Sequence, residues 1–245
     1  KTLLGGDFNA VNSIPRNRIA RMNVDGSLDN AFLVPPNEGA DDFVNTILLY
    51  PTNNLNAGKI LLGGGFTSFA GQQRNSVARL NANGSLDLTF NPGTGANGPI
   101  RAMLMQADER ILVAGEFTMF NDVGRAGLAR LHTDGSLDLS FDPGYGPDGD
   151  RIWALGVQTN TFGIETFLVG GEFVFFNRAY CGGITRLNGD GSLDLSFNPS
   201  GGSDGSIYAI AVQTNNTVLI AGAFSDVQLH SRNDIAGLNP EGTLG

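Results

Sequence analysis

The sequence predicts an all-β protein of the β-propeller class, built from about five repeats of roughly 51–58 residues. Five apolar runs that end in phenylalanine mark the repeat, and seventeen residues after each phenylalanine an acidic or amide residue is followed by glycine. Four short extended segments per repeat at this period are typical of a four-stranded propeller blade. An open β-solenoid-like array is the alternative, although its coils usually have about 20–30 residues. The marker phenylalanines are Phe8, Phe66, Phe117, Phe173 and Phe224.

The complete repeats contain the same four segments in the same order; the first unit begins at the second segment and the last unit stops before the fourth. The first alternates apolar and polar residues, as in IRAMLMQ (100–106), and the second is an apolar run with a glycine pair, as in ILLGGGF (60–66). The third resembles SVARLN (76–81), and an Asp-Gly or Asn-Gly step then favours a tight hairpin into the fourth, because such turns need positive φ. The approximate units of this single repeat region, 1–245, are 1–42, 43–98, 99–150, 151–205 and 206–245. Since residue 1 lies inside a repeat, we expect a segment of a longer protein.

Composition excludes several classes of partner. The net charge is −9 and the only lysines are Lys1 and Lys59, whereas nucleic-acid binding requires a basic face. No apolar run approaches the ~18 residues of a membrane helix, so we expect no direct membrane insertion. Cys181 is the only cysteine, which excludes an intrachain disulfide.

The segments GKILLGGGF (58–66) and VARLNANGSLDLTFNPG (77–93) carry a family resemblance. They resemble the bacterial delta-60 repeat, a family of β-propeller domains of unknown function. The resemblance recurs in all five units, with departures such as Cys181 and the segment AGLNPEGTLG (236–245). It implies an extracellular or cell-surface bacterial protein whose repeats serve adhesion, another interaction or structure. It brings no catalytic residues.

Charged residues that recur at one repeat position favour a structural role. An arginine in the third segment is followed eight residues later by an aspartate. A hairpin across the intervening turn brings the two side chains together, so we predict an ion pair within each of the first four units. The pairs are Arg21 with Asp29, Arg79 with Asp87, Arg130 with Asp138, and Arg186 with Asp194.

A second arginine follows the marker phenylalanine by eight residues, in the loop between the second and third segments. In a propeller these loops share one rim, and a ring of planar guanidinium forks suits anionic groups such as carboxylated sugars. We therefore predict a protein or glycan partner at this rim, with solvated loop charge as the structural alternative. The residues are Arg16, Arg74, Arg125 and Arg232.

One Gly-rich loop is a candidate metal site. Asp142, Asp148 and Asp150 place three carboxylates in DPGYGPDGD, and calcium binds carboxylate and carbonyl oxygens. The spacing does not match an EF-hand loop. We otherwise expect no cofactor.

The chemistry that hydrolases need is poorly supplied. The two histidines, His132 and His230, have no obvious nucleophile beside them, and no unit breaks the repeat with a cluster of unusual polar residues. We therefore predict a non-enzymatic interaction or adhesion protein. The alternatives are a structural subunit completed by copies of itself or neighbouring domains, and a glycan-active enzyme. Five residues add aromatic surface: Phe69, Phe120, Phe175, Phe176 and Trp153. Phe69, Phe120 and Phe176 share one repeat position, and we expect them to plug the space between blades, with a sugar-stacking platform as the alternative.

Overall fold

Across the part of the chain that the structure describes, regular structure consists of β-strands alone. The computed structural model describes residues 1–33, 39–52, 56–149, 151–197 and 201–245, and the all-β prediction is confirmed across those ranges. Within them, no helix has the length and apolarity needed to cross a bilayer.

Each of the later four units contributes a three-stranded antiparallel sheet in the order first, second and third strand. The first unit contributes a two-stranded sheet, β1 (Thr2–Gly5) with β4 (Ile19–Met22). The other sheets are β5 (Val44–Leu49), β6 (Ile60–Gly64) and β9 (Val77–Leu80); β10 (Ile100–Met105), β11 (Ile111–Gly115) and β14 (Leu128–Leu131); β15 (Arg151–Thr159), β16 (Glu165–Glu172) and β19 (Ile184–Leu187); and β20 (Ser206–Val212), β21 (Val218–Ala223) and β24 (Ile235–Leu238).

A short hairpin that the sequence did not predict joins the second strand to the third in every unit. Two strands of two residues form it, and both turn residues have positive φ, as at Asn177 (50°) and Arg178 (67°). Because most of these turn residues are not glycine, the usual hairpin signal is missing. We call these elements rim hairpins: β2 (Ala10–Val11) and β3 (Ile14–Pro15), β7 (Ser68–Phe69) and β8 (Gln72–Gln73), β12 (Met119–Phe120) and β13 (Val123–Gly124), β17 (Phe175–Phe176) and β18 (Ala179–Tyr180), and β22 (Asp226–Val227) and β23 (His230–Ser231).

The predicted fourth strand requires correction. In the second unit it is reduced to a single bridge between Leu80 and Leu86, and the other units show the same arrangement. Asp87, the next residue, accepts a hydrogen bond from the amide of Thr89 (3.0 Å) through its own side chain. Such a local side-chain bond turns the backbone away from a strand ladder. The later four units therefore have three strands and a bridged fourth segment.

Neighbouring sheets stack face to face, and the two glycines of the pair each make room for a different part of the backbone packing. A Cβ on Gly63 would lie 2.7 Å from the Cγ2 atom of Ile100 in the next unit. A Cβ on Gly64 would lie 2.0 Å from the carbonyl oxygen of Phe43, opposite a β-bulge in β5. One glycine therefore admits the neighbouring blade and the other admits the bulge. The first strands of successive units lie side by side and form the inner edge of the stack.

Phenylalanine fills the space between blades. Phe69, Phe120 and Phe176 occupy one position of the rim hairpin, and each has 0% exposure. Phe120 packs with Leu61 and Val77 of the preceding unit as well as with its own sheet. The prediction that these three rings are plugs is confirmed.

Substituting Gly63 tests the close approach of blades. We expect Gly63→Ala to lower the free energy of unfolding by about 1–3 kcal/mol, because the methyl group overpacks the contact with Ile100. Gly124→Ala is the control, since a Cβ there meets nothing within 4 Å. Urea denaturation measures both variants. Equal stability of Gly63→Ala and the parent would contradict the packing argument.

Candidate functional site

The arginine and aspartate that recur in the third and fourth segments connect neighbouring blades. Arg79 Nε lies 2.7 Å from Asp87 Oδ2, and both side chains are nearly inaccessible to solvent. Arg79 Nη1 also donates a 2.6 Å hydrogen bond to the carbonyl oxygen of Thr133 in the next unit. Its guanidinium carbon lies 4.9 Å from the ring centroid of Phe90. We call this arrangement the cross-blade clamp.

The clamp recurs in the other units that carry the pair. Nε to Oδ2 distances are 2.7 Å for Arg21–Asp29, 2.8 Å for Arg130–Asp138 and 2.7 Å for Arg186–Asp194. Their Nη1 atoms donate to carbonyl oxygens of the following unit, at Ala82, Gly189 and Pro240 respectively. The fifth unit has Gly237 at the arginine position. Recurrence here reflects blade assembly, because each arginine joins the aspartate of its own unit to a backbone carbonyl of the next unit.

The clamp makes stability depend on pH in the acid range. Burial alone would raise the pKa of Asp138, but hydrogen bonds from the Ser140 hydroxyl and amide and from Arg130 lower it to about 2. A carboxyl whose folded pKa lies below its ordinary value of 3.8 stabilises the fold above that pH. This contribution is lost as pH falls from about 4 to about 2.

The variant Asp138→Asn should reveal that contribution. We expect the parent to exceed the variant in unfolding free energy at pH 7, and the difference to shrink as pH falls from about 4 to about 2. Thermal unfolding at pH 7, 5, 4, 3 and 2 measures it, with Asp122→Asn on the surface as control. A difference that stays constant over this pH range would contradict the assignment.

The rim arginines lie directly after the rim hairpins and share one contact. Each donates from Nη1 to the carbonyl oxygen of the preceding residue, at 2.7–2.9 Å. Arg125 is only 7% exposed, and Nε of Arg16, Arg74 and Arg125 is buried without a hydrogen-bond partner among the described residues. Arg232 is exposed. The four side chains therefore differ in how much of the guanidinium faces solvent.

Cys181 takes the rim arginine position in the fourth unit. It is 4% exposed, and burial together with the nearby Asp148 carboxylate raises the pKa of its thiol to about 12. A thiol in this state is a weak nucleophile.

The carboxylates of the candidate calcium loop take part in loop structure. Asp148 Oδ1 accepts hydrogen bonds from the amides of Val174 and Phe175, both at 2.9 Å. Asp41, Asn97 and Asp204 make the same pair of contacts in other units, so a charge is not needed there. Asp142 Oδ1 accepts from the amide of Gly144, and Asp150 lies outside the described residues. Within the described ranges, no three His, Cys, Asp or Glu side chains form a metal-binding group.

A row of unit-specific side chains runs along the inner edge. The bulged residue of each first strand differs between units, and Arg101 Nη1 lies 3.3 Å from Asn45 Oδ1. The Arg101 guanidinium carbon is 5.2 Å from the Trp153 ring centroid, and Trp153 packs edge-on against Tyr208 at 6.0 Å. Arg101 is also paired with Glu116 of its own unit, and Tyr208 at the end of the row is 52% exposed.

The rim of the fourth unit is unlike the others because aromatic side chains are exposed there. Phe175 and Tyr180 pair edge-on across the rim hairpin at 5.6 Å and are 40% and 59% exposed. Tyr145, in the preceding linker, is 73% exposed and lies under the Arg178 guanidinium at 4.5 Å. Of the aromatic residues named from sequence, Phe175 alone belongs to this group, which we call the aromatic rim: Tyr145, Phe175, Arg178 and Tyr180.

Two cavities border the aromatic rim and share Asp148. One of about 380 Å³ is lined by Tyr145, Phe175 and Arg178. The other, of about 390 Å³, reaches from Tyr180 to Glu172 and the start of β20 in the fifth unit. Volumes in this range suit a small ligand or one residue of a longer one.

Stacked antiparallel blades, joined by rim linkers and cross-blade clamps, define this chain as a β-propeller protein. A family model described as a domain of unknown function (DUF5122) β-propeller matches residues 1–32, 58–90, 106–141 and 167–197, more than half of the chain. The chain belongs to this family. The description does not use the name delta-60 repeat, so that finer assignment stays a prediction.

Solved structures support the fold. The WD40 β-propeller domain of Doa1 is 13% identical, with a TM-score of 0.50, and the match covers 82% of this chain and 53% of that one. PorZ, described as a bacterial surface component of the type-IX secretion system of Porphyromonas gingivalis, is 12% identical with a TM-score of 0.50, over 89% of this chain and 29% of that one. A Bacteroides caccae protein of unknown function is 18% identical with a TM-score of 0.49, over 97% and 68%. The chain thus spans about half of the Doa1 domain structure. No curated protein matches it.

Proposed function

We propose that this chain is a non-enzymatic interaction module of an extracellular or cell-surface bacterial protein, which binds its partner at the rim. The aromatic rim carries the proposal. Exposed Tyr and Phe side chains that border cavities are typical of binding surfaces. At the position of Phe175 the second and fifth units have Ser68 and Asp226, so this surface is not required by the fold.

The distribution of reactive groups favours binding over catalysis. The four clamp pairs are engaged in blade assembly, and Cys181 is buried with a raised thiol pKa. His132 Nε2 lies 3.8 Å from Oδ1 of Asp138, a clamp aspartate. These contacts assign the recurring charged groups to blade assembly. The aromatic rim of the fourth unit is then the surface available for recognition.

Two observations support a location outside the cell. The family resemblance of the sequence is to secreted or surface-attached bacterial proteins. PorZ, which shares the fold, is described as a bacterial surface component.

The test uses cells of the bacterium that makes the protein. We expect antibodies against the chain to label intact cells, and labelled chain to bind envelope preparations. The double variant Tyr145→Ala/Tyr180→Ala should bind at least about tenfold more weakly. Labelling only after lysis would overturn the location, and unchanged envelope binding by the double variant would overturn the site.

A structural subunit is the second candidate, and one surface favours it. Ile235 lies on the face of the fifth sheet that, in earlier units, is covered by the following blade, and it is 61% exposed. Leu128 and Ile184 stand at the same repeat position beneath such a blade and are 0% and 1% exposed. Another blade of this type fits that face. Sedimentation velocity over a wide concentration range should then show assembly that Ile235→Asp abolishes and Leu139→Asp does not. A monomer at all concentrations would exclude self-assembly through this face.

A further inference from the structure

We infer that the aromatic rim binds a neutral carbohydrate, with sugar rings seated in the two cavities on either side of the Phe175–Tyr180 pair. This inference rests on the proposed function and names the ligand class of the same site. It follows from the combination of exposed aromatic ring faces with hydrogen-bond donors and acceptors in the same site.

The apolar part of the site is formed by rings that are already held in place. Phe175 and Tyr180 fix each other edge-on, and Arg178 covers one face of Tyr145. Aromatic rings lose little conformational freedom on binding because they have few rotatable bonds. The C–H faces of a sugar ring can pack against such surfaces, while the Tyr hydroxyls remain at the wet edge.

The polar part of the site offers both acceptors and donors. Asp148 uses Oδ1 for two backbone amides, and no hydrogen bond to Oδ2 occurs among the described residues. Glu172 lines the second cavity with its side chain 54% exposed, and its one ionic partner there, Arg151, is 3.4 Å away. Arg178 lines the first cavity and forms no ion pair within the described ranges. Sugar hydroxyls can donate to the carboxylates and accept from the guanidinium.

Charge decides between classes of ligand. Three carboxylates line the cavities, those of Asp148, Glu172 and Asp204, and they disfavour uronic acids and other anionic sugars. Arg178 disfavours a strongly cationic peptide. A proline-rich peptide would use the aromatic rings, but its carbonyl oxygens only accept hydrogen bonds and leave Asp148 and Glu172 without donors. A neutral polyhydroxylated ligand can donate to Asp148 and Glu172 and accept from Arg178.

The repeat supplies matched controls because the same positions in other units lack aromatic residues. Met119 in the third unit stands at the position of Phe175 and is also 40% exposed. Gln73 in the second unit stands at the position of Tyr180. Replacing these residues changes a rim hairpin without touching the aromatic rim.

The experiment is calorimetric titration of the full 245-residue chain with neutral hexasaccharides of glucose, mannose and xylose in different linkages. An oligogalacturonide and a proline-rich decapeptide serve as the anionic and peptide probes. We expect at least one neutral hexasaccharide to bind. Phe175→Ala and Tyr180→Ala should each weaken it about tenfold or more, a loss of at least ~1.4 kcal/mol. Met119→Ala and Gln73→Ala should leave it unchanged.

The inference is overturned if no neutral saccharide binds, if only the anionic or peptide probe binds, or if the aromatic and control variants behave alike. Competition separates this failure from failure of the proposed function. If envelope binding depends on Tyr145 and Tyr180 but no neutral saccharide competes with it, the interaction site stands and the carbohydrate assignment falls.

Discussion

Arg79→Ala is expected to lower the free energy of unfolding by about 3 kcal/mol. The substitution removes one partner of a buried ion pair, and breaking such a pair usually costs about 3–5 kcal/mol. The lower end applies because Lys59 Nζ also lies 2.8 Å from Asp87 Oδ2 and still neutralises it. The hydrogen bond to Thr133 of the next blade is lost as well.

Two control variants separate the parts of this effect. Arg79→Lys keeps a charge but loses the planar fork that reaches Asp87 and Thr133 together, so it should recover only part of the loss. Arg151→Ala removes a half-exposed arginine with long ionic contacts to Glu116 and Glu172, and should cost less than about 1 kcal/mol. Chemical denaturation measures the free energy of unfolding of the three variants. A loss in Arg79→Ala no larger than in Arg151→Ala would show that the clamp contributes little.

Phe120→Ala is expected to lower the free energy of unfolding by about 3–5 kcal/mol. The ring is fully buried between the second and third units, and its removal leaves a cavity that two sheets must collapse to fill. Met119→Ala is the matched control, because the adjacent side chain is 40% exposed and should cost about 0.5 kcal/mol or less. Similar losses for the two variants would contradict the interblade position of Phe120.

Sequence patterning predicts the framework because the framework repeats. The offset from Phe66 to the Asn83-Gly84 turn recurs in every unit, and Gly84 has the positive φ (88°) that such a turn requires. The proximity of Arg79 and Asp87 follows from the same hairpin. The acceptor in the next blade, Thr133 O, does not, because a backbone carbonyl 54 residues away leaves no mark in the sequence.

The candidate site was harder to predict for the same physical reason. Tyr145 and Arg178 come together only because the linker lies on the following rim hairpin, through the bridge between Pro147 and Phe176. The rim hairpins escaped prediction because their strands have two residues and most of their turns lack glycine. A usable signal was present in Phe175 and Tyr180, which are aromatic at repeat positions where no other unit has an aromatic residue.

We propose that recurring charged residues assemble the blades while the unit-specific aromatic rim binds the partner. One comparison tests it most directly: equilibrium binding to envelope preparations by Arg74→Ala/Arg125→Ala and by Tyr145→Ala/Tyr180→Ala, with folding of both checked by circular dichroism. We expect near-parental binding by the arginine variant and at least about a tenfold loss in the aromatic variant. Loss in the arginine variant with full binding by the aromatic variant would contradict it and would place recognition on the rim arginines.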